Sequence, residues 1–598
     1  MAIEACFPFK EFRPYQKEIL SLIEANLDPY NYIFLEAPTG FGKSPVAYAI
    51  AKYVYQEYGN LTHFVVNDIY LQGQYLRDFP DIALIKGRGN YPCSLTAGDM
   101  EPEFWAERIG NTLYADRAPC TLINGYKCPH KANQVKRESA LTDMEMGAEI
   151  DPENFEDDNA SPRADRDKFG VKFDWSNCSY PLCAYWQAKD KAIHSPLTIH
   201  NYSYYLHEQN HAHSFNKRFL GIFDEAHTIE NTLMTYIEVL ISSRTFNGIW
   251  MYFKDMPFPI IPEYTKMEDW EKWLQNIQGE LKGISEKYGT FASIQRDIGD
   301  SSNRVQELKS RKTVENITNR ITELLDSLED DIDNWVVLKD KTSATFKPVT
   351  INKYSDQLFK HTDKHILISA TILDKEKLQK YLGIEEEVKF FRIGNSTFPV
   401  EHRPLYQKFA GRAIFKEMDQ FLPNMLRIID NDIIPTRLQH KGVIHTHNNE
   451  IARYIMANSK YKQYMMTNVS LRDERGNFID TDERREDTFE RFFQAKAPCI
   501  MTTPSMKMGI DLKDDLARWQ VLVKVPYPSL GDPQIKKRVE KDQSWYNWTT
   551  AMLLIQTYGR VCRSVDDWGE TFIIDGKFSD LFNQNIGFFP KWFKEAIR

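Results

Sequence analysis

At 598 residues the chain exceeds one ordinary core, and the usual ~100–200 residues per domain divide it into about three to five domains. Hydrophobic residues at 42% and charged residues at 27% exclude a disordered or fibrous chain. A net charge of -9 argues weakly against a protein that coats nucleic acid by bulk charge and leaves room for a local basic groove.

The start, MAIEACFPFKEF, lacks the basic and apolar regions of an export signal. The longest apolar stretches, such as 365–373, stay below the ~18 residues that span a bilayer. No membrane segment and no secretion are expected, and the location is read as cytoplasmic, nuclear or the cytoplasm of a viral host.

In chain order, 31–54 reads as a buried strand, a glycine-containing turn and a helix with Val46, Ile50 and Val54 on one side. Short apolar runs at 61–68, 219–227 and 365–373 have strand length and alternate with helical stretches, the pattern of a parallel sheet covered on both faces. The same texture returns at 441–447, 498–505, 519–528 and 569–578, which predicts a second α/β domain. Two stretches break the pattern. Residues 87–195 hold an acidic run at 143–167 and five of the eight cysteines, Cys93, Cys120, Cys128, Cys178 and Cys183. Residues 245–345 are rich in charge with apolar positions at helical spacing.

The segment APTGFGKS at 37–44, between strand and helix, has the form of a phosphate-binding loop. Gly40 and Gly42 let backbone N–H groups close around phosphate oxygens, with Thr39 beside them. Lys43 reaches the β- and γ-phosphates, and Ser44 can hold Mg²⁺. Ala37 stands where the strict pattern has glycine. DEAH at 224–227 follows an apolar strand, so Asp224 and Glu225 fall where open α/β sheets bind ligands. Asp224 suits Mg²⁺ and Glu225 suits activation of the attacking water. In QTYGRVCR at 556–563, the spacing predicts a helix with Gln556, Gly559, Arg560 and Arg563 on one face. Two guanidiniums there could stabilise charge developing on a γ-phosphate.

In a cytosolic chain the clustered cysteines point to a metal or cluster site and not to disulfides. All-thiolate ligation fits iron–sulfur or zinc, and the paired C-x-x-C spacing of zinc ribbons is absent.

The ordered motifs resemble the DinG/XPD family of iron–sulfur superfamily 2 DNA helicases. They are RPYQ (13–16), APTGFGKS, NDIYLQGQY (67–75), KGRGNYPC (86–93), CAYWQAKDKA (183–192), DEAH, SATI (369–372), STFP (396–399), MGIDL (508–512) and QTYGRVCR. The resemblance spans nearly the whole chain. It implies two RecA-like P-loop motor domains of α/β class, with a cluster domain (87–195) and a mostly helical arch (245–345) inserted into the first. The first motor then comprises 1–86, 196–244 and 346–395, and the second 396–598.

It also implies that Gln16 contacts the adenine, that Ser369 and Thr371 couple hydrolysis to movement, and that Gly509 and Asp511 link nucleotide to the translocating strand. A [4Fe-4S] cluster is implied on four cysteines, with Cys93 first and Cys183 last. The middle pair comes from Cys120, Cys128 and Cys178; the family arrangement favours Cys120 and Cys128, with Cys178 as the alternative. The implied cofactors are ATP, Mg²⁺ and the cluster, and the implied partners are single-stranded and forked DNA, with a protein loading factor and a monomeric state. The expected activity is 5′ to 3′ ATP-dependent unwinding in replication, repair or recombination. An ATPase that remodels protein–DNA complexes or R-loops, and a binding scaffold with an inactive motor, are the alternatives.

Overall fold

The computed structural model describes residues 1–100, 102–123, 126–135, 172–253, 260–289, 304–470, 485–504 and 512–598. The acidic run at 143–167 and the residues Gly509 and Asp511 lie outside them.

Two parallel sheets organise the molecule. The first runs β12-β1-β11-β7-β2-β6-β3, with β1 Tyr32–Glu36, β2 Thr62–Val66, β3 Ala83–Leu84, β6 Leu197–Asn201, β7 Arg218–Asp224, β11 Thr362–Ser369 and β12 Val388–Arg392. All its pairings are parallel. Every residue of β1 and β2 is buried, as expected of near-continuous apolar strands covered on both faces. The second sheet runs β13-β18-β17-β14-β16-β15, with β13 Leu405–Gly411, β14 Gly442–His445, β15 Met465–Thr467, β16 Ile500–Thr503, β17 Trp519–Leu522 and β18 Glu570–Asp575. Its pairings are parallel as well. The α/β class with two RecA-like sheets thus matches the expectation.

The strand order places the chemistry. β11 lies between β1 and β7, so the ends of three adjacent strands carry the phosphate loop, the SATI segment and DEAH side by side. In open α/β sheets the carboxyl ends of the strands form the ligand crevice.

Between 239 and 348 the helices Met267–Tyr288 and Arg304–Asp331 pack together. Trp270, Leu274, Ile277, Leu281 and Ile284 form the buried stripe of the first, at alternating steps of four and three. The region also holds an antiparallel sheet, β8-β10-β9 (Val239–Ser242, Ser343–Pro348, Trp335–Lys339), beyond the helices expected there. Its strands are short, and two lie at the edges of the apolar pattern that was read as helical.

Among its described residues the cysteine region holds an antiparallel pair, β4 Asn133–Val135 and β5 Lys172–Asp174, and short helices before the longer Ala184–Ile193. It meets the long helix Arg304–Asp331 through an apolar cluster of Phe104, Leu122, Val305 and Leu308, flanked by the Lys309–Glu107 ion pair at 2.5 Å. No helix among the described residues is long and apolar enough to cross a membrane.

Candidate ATP site and cysteine cavity

The phosphate loop is held open by glycine geometry. Gly40 and Gly42 both take positive φ, +86° and +83°, which side chains with a Cβ rarely adopt. A Cβ on Gly40 would fall 2.1 Å from the Phe398 ring, and one on Gly42 would fall 2.5 Å from the Gln16 amide nitrogen. Lys43 and Ser44 open the helix Lys43–Tyr58, so its N-terminal N–H groups face the loop. Lys43 Nζ donates to the Ala37 carbonyl at 3.3 Å and thus stays folded over the loop it would serve.

Gln16, for which the resemblance implies an adenine contact, lies against the phosphate loop. It is 1% exposed, its amide donates to the carbonyls of Phe41 at 2.8 Å and Gly42 at 3.2 Å, and its oxygen accepts the Arg13 N–H at 2.7 Å. With both ends of the amide engaged, it braces the loop from beneath.

Asp224 ends β7 in full burial, and Tyr75 donates its hydroxyl to it at 2.9 Å. Ser44 lies near the same phenol, so one buried tyrosine sits close to the two residues best suited to Mg²⁺. Burial, then the neighbouring Glu225 charge, pushes the Asp224 carboxyl above the usual aspartate range. Burial would also raise Glu225, but the His227 hydrogen bond and the charges of His227, Lys43 and Arg563 outweigh it and hold this carboxyl low. Glu225 sits in the left-handed region at φ +52°.

A polar chain crosses the cleft. His227 Nδ1 lies 3.2 Å from Glu225, 2.9 Å from Ser369 Oγ and 3.3 Å from the Gln556 amide nitrogen. Gln556 also donates to Thr371 Oγ1 at 2.6 Å. Gln556 belongs to the second motor and the others to the first. The helix that carries it, Gln543–Tyr558, is buried along most of its length in a core shared with β1, β7 and β11.

That helix stops earlier than expected. It ends at Tyr558, with Gly559 as its C-cap, so Arg560 and Arg563 lie on the loop that follows and not on one helical face. Glycine is the residue that most readily ends a helix. Gly559 abuts the phosphate loop, where a Cβ would come within 3.5 Å of Thr39 Oγ1. The field of Arg563 reaches Glu225, whereas that of Arg560 acts on the buried His445 at the end of β14. Tyr75, His227 and Phe398 were missed as functional side chains. Each lay inside a recognised motif, but only the tertiary contacts reveal what it touches.

In the cysteine region, Cys93, Cys120, Cys128 and Cys183 line one small enclosed cavity together with Arg88, His130, Tyr185 and Trp186. Cys178 is not among the lining residues; its amide bonds Trp175 in the turn after β5. Burial pushes the thiols of Cys93 and Cys128 up to about 11 and about 12. Such thiols stay protonated unless a bound cation stabilises the thiolate. Cys183 is the N-cap residue of the helix Ala184–Ile193. Lys131 lies 4.3 Å from the centre of the Trp186 ring and Arg88 lies 5.0 Å from that of Tyr185, so two cations border the cavity. No three His, Cys, Asp or Glu side chains among the described residues converge as ligands of one ion. Four thiols lining one cavity are a donor set of the kind that iron–sulfur clusters use.

Residues 445–596 match the helicase C-terminal domain family, and residues 9–107 match the type III restriction enzyme res subunit family. A regulator of telomere elongation helicase 1 homolog from Drosophila willistoni is 29% identical over 126 residues, covering 18% of this chain and 12% of that protein. A Fanconi anemia group J protein homolog from Gallus gallus is 28% identical over 102 residues, 15% of this chain and 8% of its own length. The matched segments are thus a small part of these relatives. Among solved structures, an XPD helicase superposes with a TM-score of 0.57 at 15% identity, covering 98% of both chains. The S. tokodaii Xpd4 superposes with a TM-score of 0.53 at 12% identity, covering 98% of this chain and 99% of the other. These likenesses show a shared fold over almost the whole length. Both domain families are matched in order around the same motifs, and in fold the chain is similar to the XPD structures.

Proposed function

We propose that the chain is an ATP-dependent DNA helicase that hydrolyses ATP between its two motors and moves 5′ to 3′ along a single strand, acting as a monomer on forked DNA. The observation that carries the reading is the polar chain from Glu225 through His227 to Gln556. It brings the hydrolytic carboxylate, His227 and the second motor's Gln556 to one point of the cleft, with Gln556 bonded to Thr371 of the first motor.

Gly40, Gly42 and Lys43 cradle the phosphates, with Thr39 and the Gln16 brace setting the loop. Ser44 and Asp224 hold Mg²⁺, whose charge neutralises the β- and γ-oxygens when bound. Glu225 accepts a proton from the attacking water, and Arg563 stabilises charge on the transferred phosphoryl group, with Arg560 a second candidate by its place in the motif. Gly509 and Asp511 belong to the strand-facing path by resemblance. Cys93, Cys120, Cys128 and Cys183 suit a [4Fe-4S] cluster, which would tie the loops of an 87–195 module together. A helical arch over 245–345 completes the insertions. Replication, repair or recombination is the setting we favour, with a protein loading partner and a cytoplasmic or nuclear location.

The deciding experiment combines single-strand-stimulated ATP turnover with unwinding of duplexes that carry 5′ or 3′ tails. Turnover with displacement from the 5′ tail is expected. No stimulated turnover would leave a binding scaffold, and turnover without displacement would leave a remodelling ATPase.

A further inference from the structure

Glu36 is a buried carboxylate that the hydrolytic scheme does not use. It closes β1 one residue before the phosphate loop and is 2% exposed. A carboxylate so placed persists only with partners. Its register partner on β12 is Arg392, whose Nε lies 2.9 Å from it. The Leu373 N–H donates to the same carboxylate, and the Arg392 guanidinium donates to the Leu373 carbonyl. One ion pair therefore takes up both backbone polar groups of a single residue.

That residue is held where leucine seldom stays. Leu373 has φ +63°, in the left-handed region, and a residue without glycine's freedom remains there only when its surroundings impose it. Leu373 ends the segment that begins at Ser369, whose hydroxyls at Ser369 and Thr371 meet His227 and Gln556. Between them the Ile372 carbonyl accepts the Trp548 indole N–H from the second motor at 3.0 Å. On the nucleotide side, the Ala37 N–H donates to the Ser369 carbonyl at 3.0 Å. The segment is gripped from the phosphate loop by Glu36 and Ala37, and from the second motor by Gln556 and Trp548.

We propose that the Glu36–Arg392 pair is a positioning device that imposes the strained turn at Leu373, and so transmits movement of the phosphate loop to the second motor. The inference rests on the helicase reading above. Glu36 and Arg392 touch neither ATP nor water in it; they act through the Ser369–Leu373 segment.

The test uses full-length E36Q, R392Q and the double variant, with ATP KM, single-strand-stimulated kcat, strand displaced per ATP and melting temperature. KM should stay within about two-fold, while kcat falls on the order of 10-fold, the scale of a lost coupling contact. Displacement per ATP should fall as well. The double variant should be no worse than either single change, because each removes the same pair. Should E36Q melt, R392Q carries the test from the more exposed end of the pair. Folded variants with unchanged kcat and displacement per ATP would overturn the inference, as would additive losses. So would a lowered melting temperature with coupling intact, since that marks a merely structural pair. Wild-type protein without stimulated turnover would instead take down the helicase reading and this inference with it.

Discussion

The ATP cleft and the cysteine cavity are both clusters of chemistry-bearing side chains, yet they are built in opposite ways. Around the cleft, the functional groups stand at the ends of parallel strands or on helices beside them and are already paired: Lys43 to Ala37, Tyr75 to Asp224, Gln16 to the loop carbonyls, Gln556 to Thr371. Around the cavity, three of the four cysteines come from irregular or short segments, and their sulfurs surround a space. The cleft is preorganised by its sheet, whereas the cavity depends on what fills it. Preorganised groups lose little on binding, but a lining around a void forfeits contacts on one side.

The largest effect that tests this contrast lies in the cleft. Lys43→Ala should lower stimulated ATP turnover on the order of 10²–10³-fold, the scale of one lost charge-stabilising group. Melting temperature and iron content should stay near wild type. A variant that loses iron together with turnover would break the contrast, because the two sites would then share one folding unit.

The cysteine region should respond the other way. Cys93→Ser is expected to lower bound iron by at least the roughly 10–100-fold that changes around a metal site produce, and to make the region more sensitive to protease. Cys178→Ser should keep both at wild-type levels, since Cys178 is not part of the cavity lining. Iron analysis and visible absorbance read the result. Equal losses in the two variants would return Cys178 to the ligand set.

The smallest effect sharpens the view of the cleft. Gln556→Ala removes the bond to Thr371 and should reduce kcat roughly 5-fold, as one net hydrogen bond would, with ATP KM little changed. A raised KM with unchanged kcat would place Gln556 in nucleotide binding and not in the link between motors.

Much of this architecture was legible in the sequence because local chemistry imposes it. Apolar runs such as FLGIFD and HILISA can be satisfied only as buried strands, and glycines at 40 and 42 permit the backbone that a phosphate loop needs. The order of motifs likewise pointed to two motors. Other features depend on contacts between residues far apart. The helix at 556–563 was read as continuous because its spacing is helical, and only the structure shows it ending at Gly559 against the phosphate loop.

By itself, then, the sequence determined the two parallel-sheet motors, the phosphate loop and the carboxylates at the strand ends. Those properties follow from patterns within one segment. Tertiary structure decided which cysteines share a cavity, that Gln16 braces the loop, and that Glu36 grips Leu373 across 337 positions of chain. The physical reason is that a buried polar group takes its partner from whatever the fold brings alongside, and no local pattern encodes that neighbour.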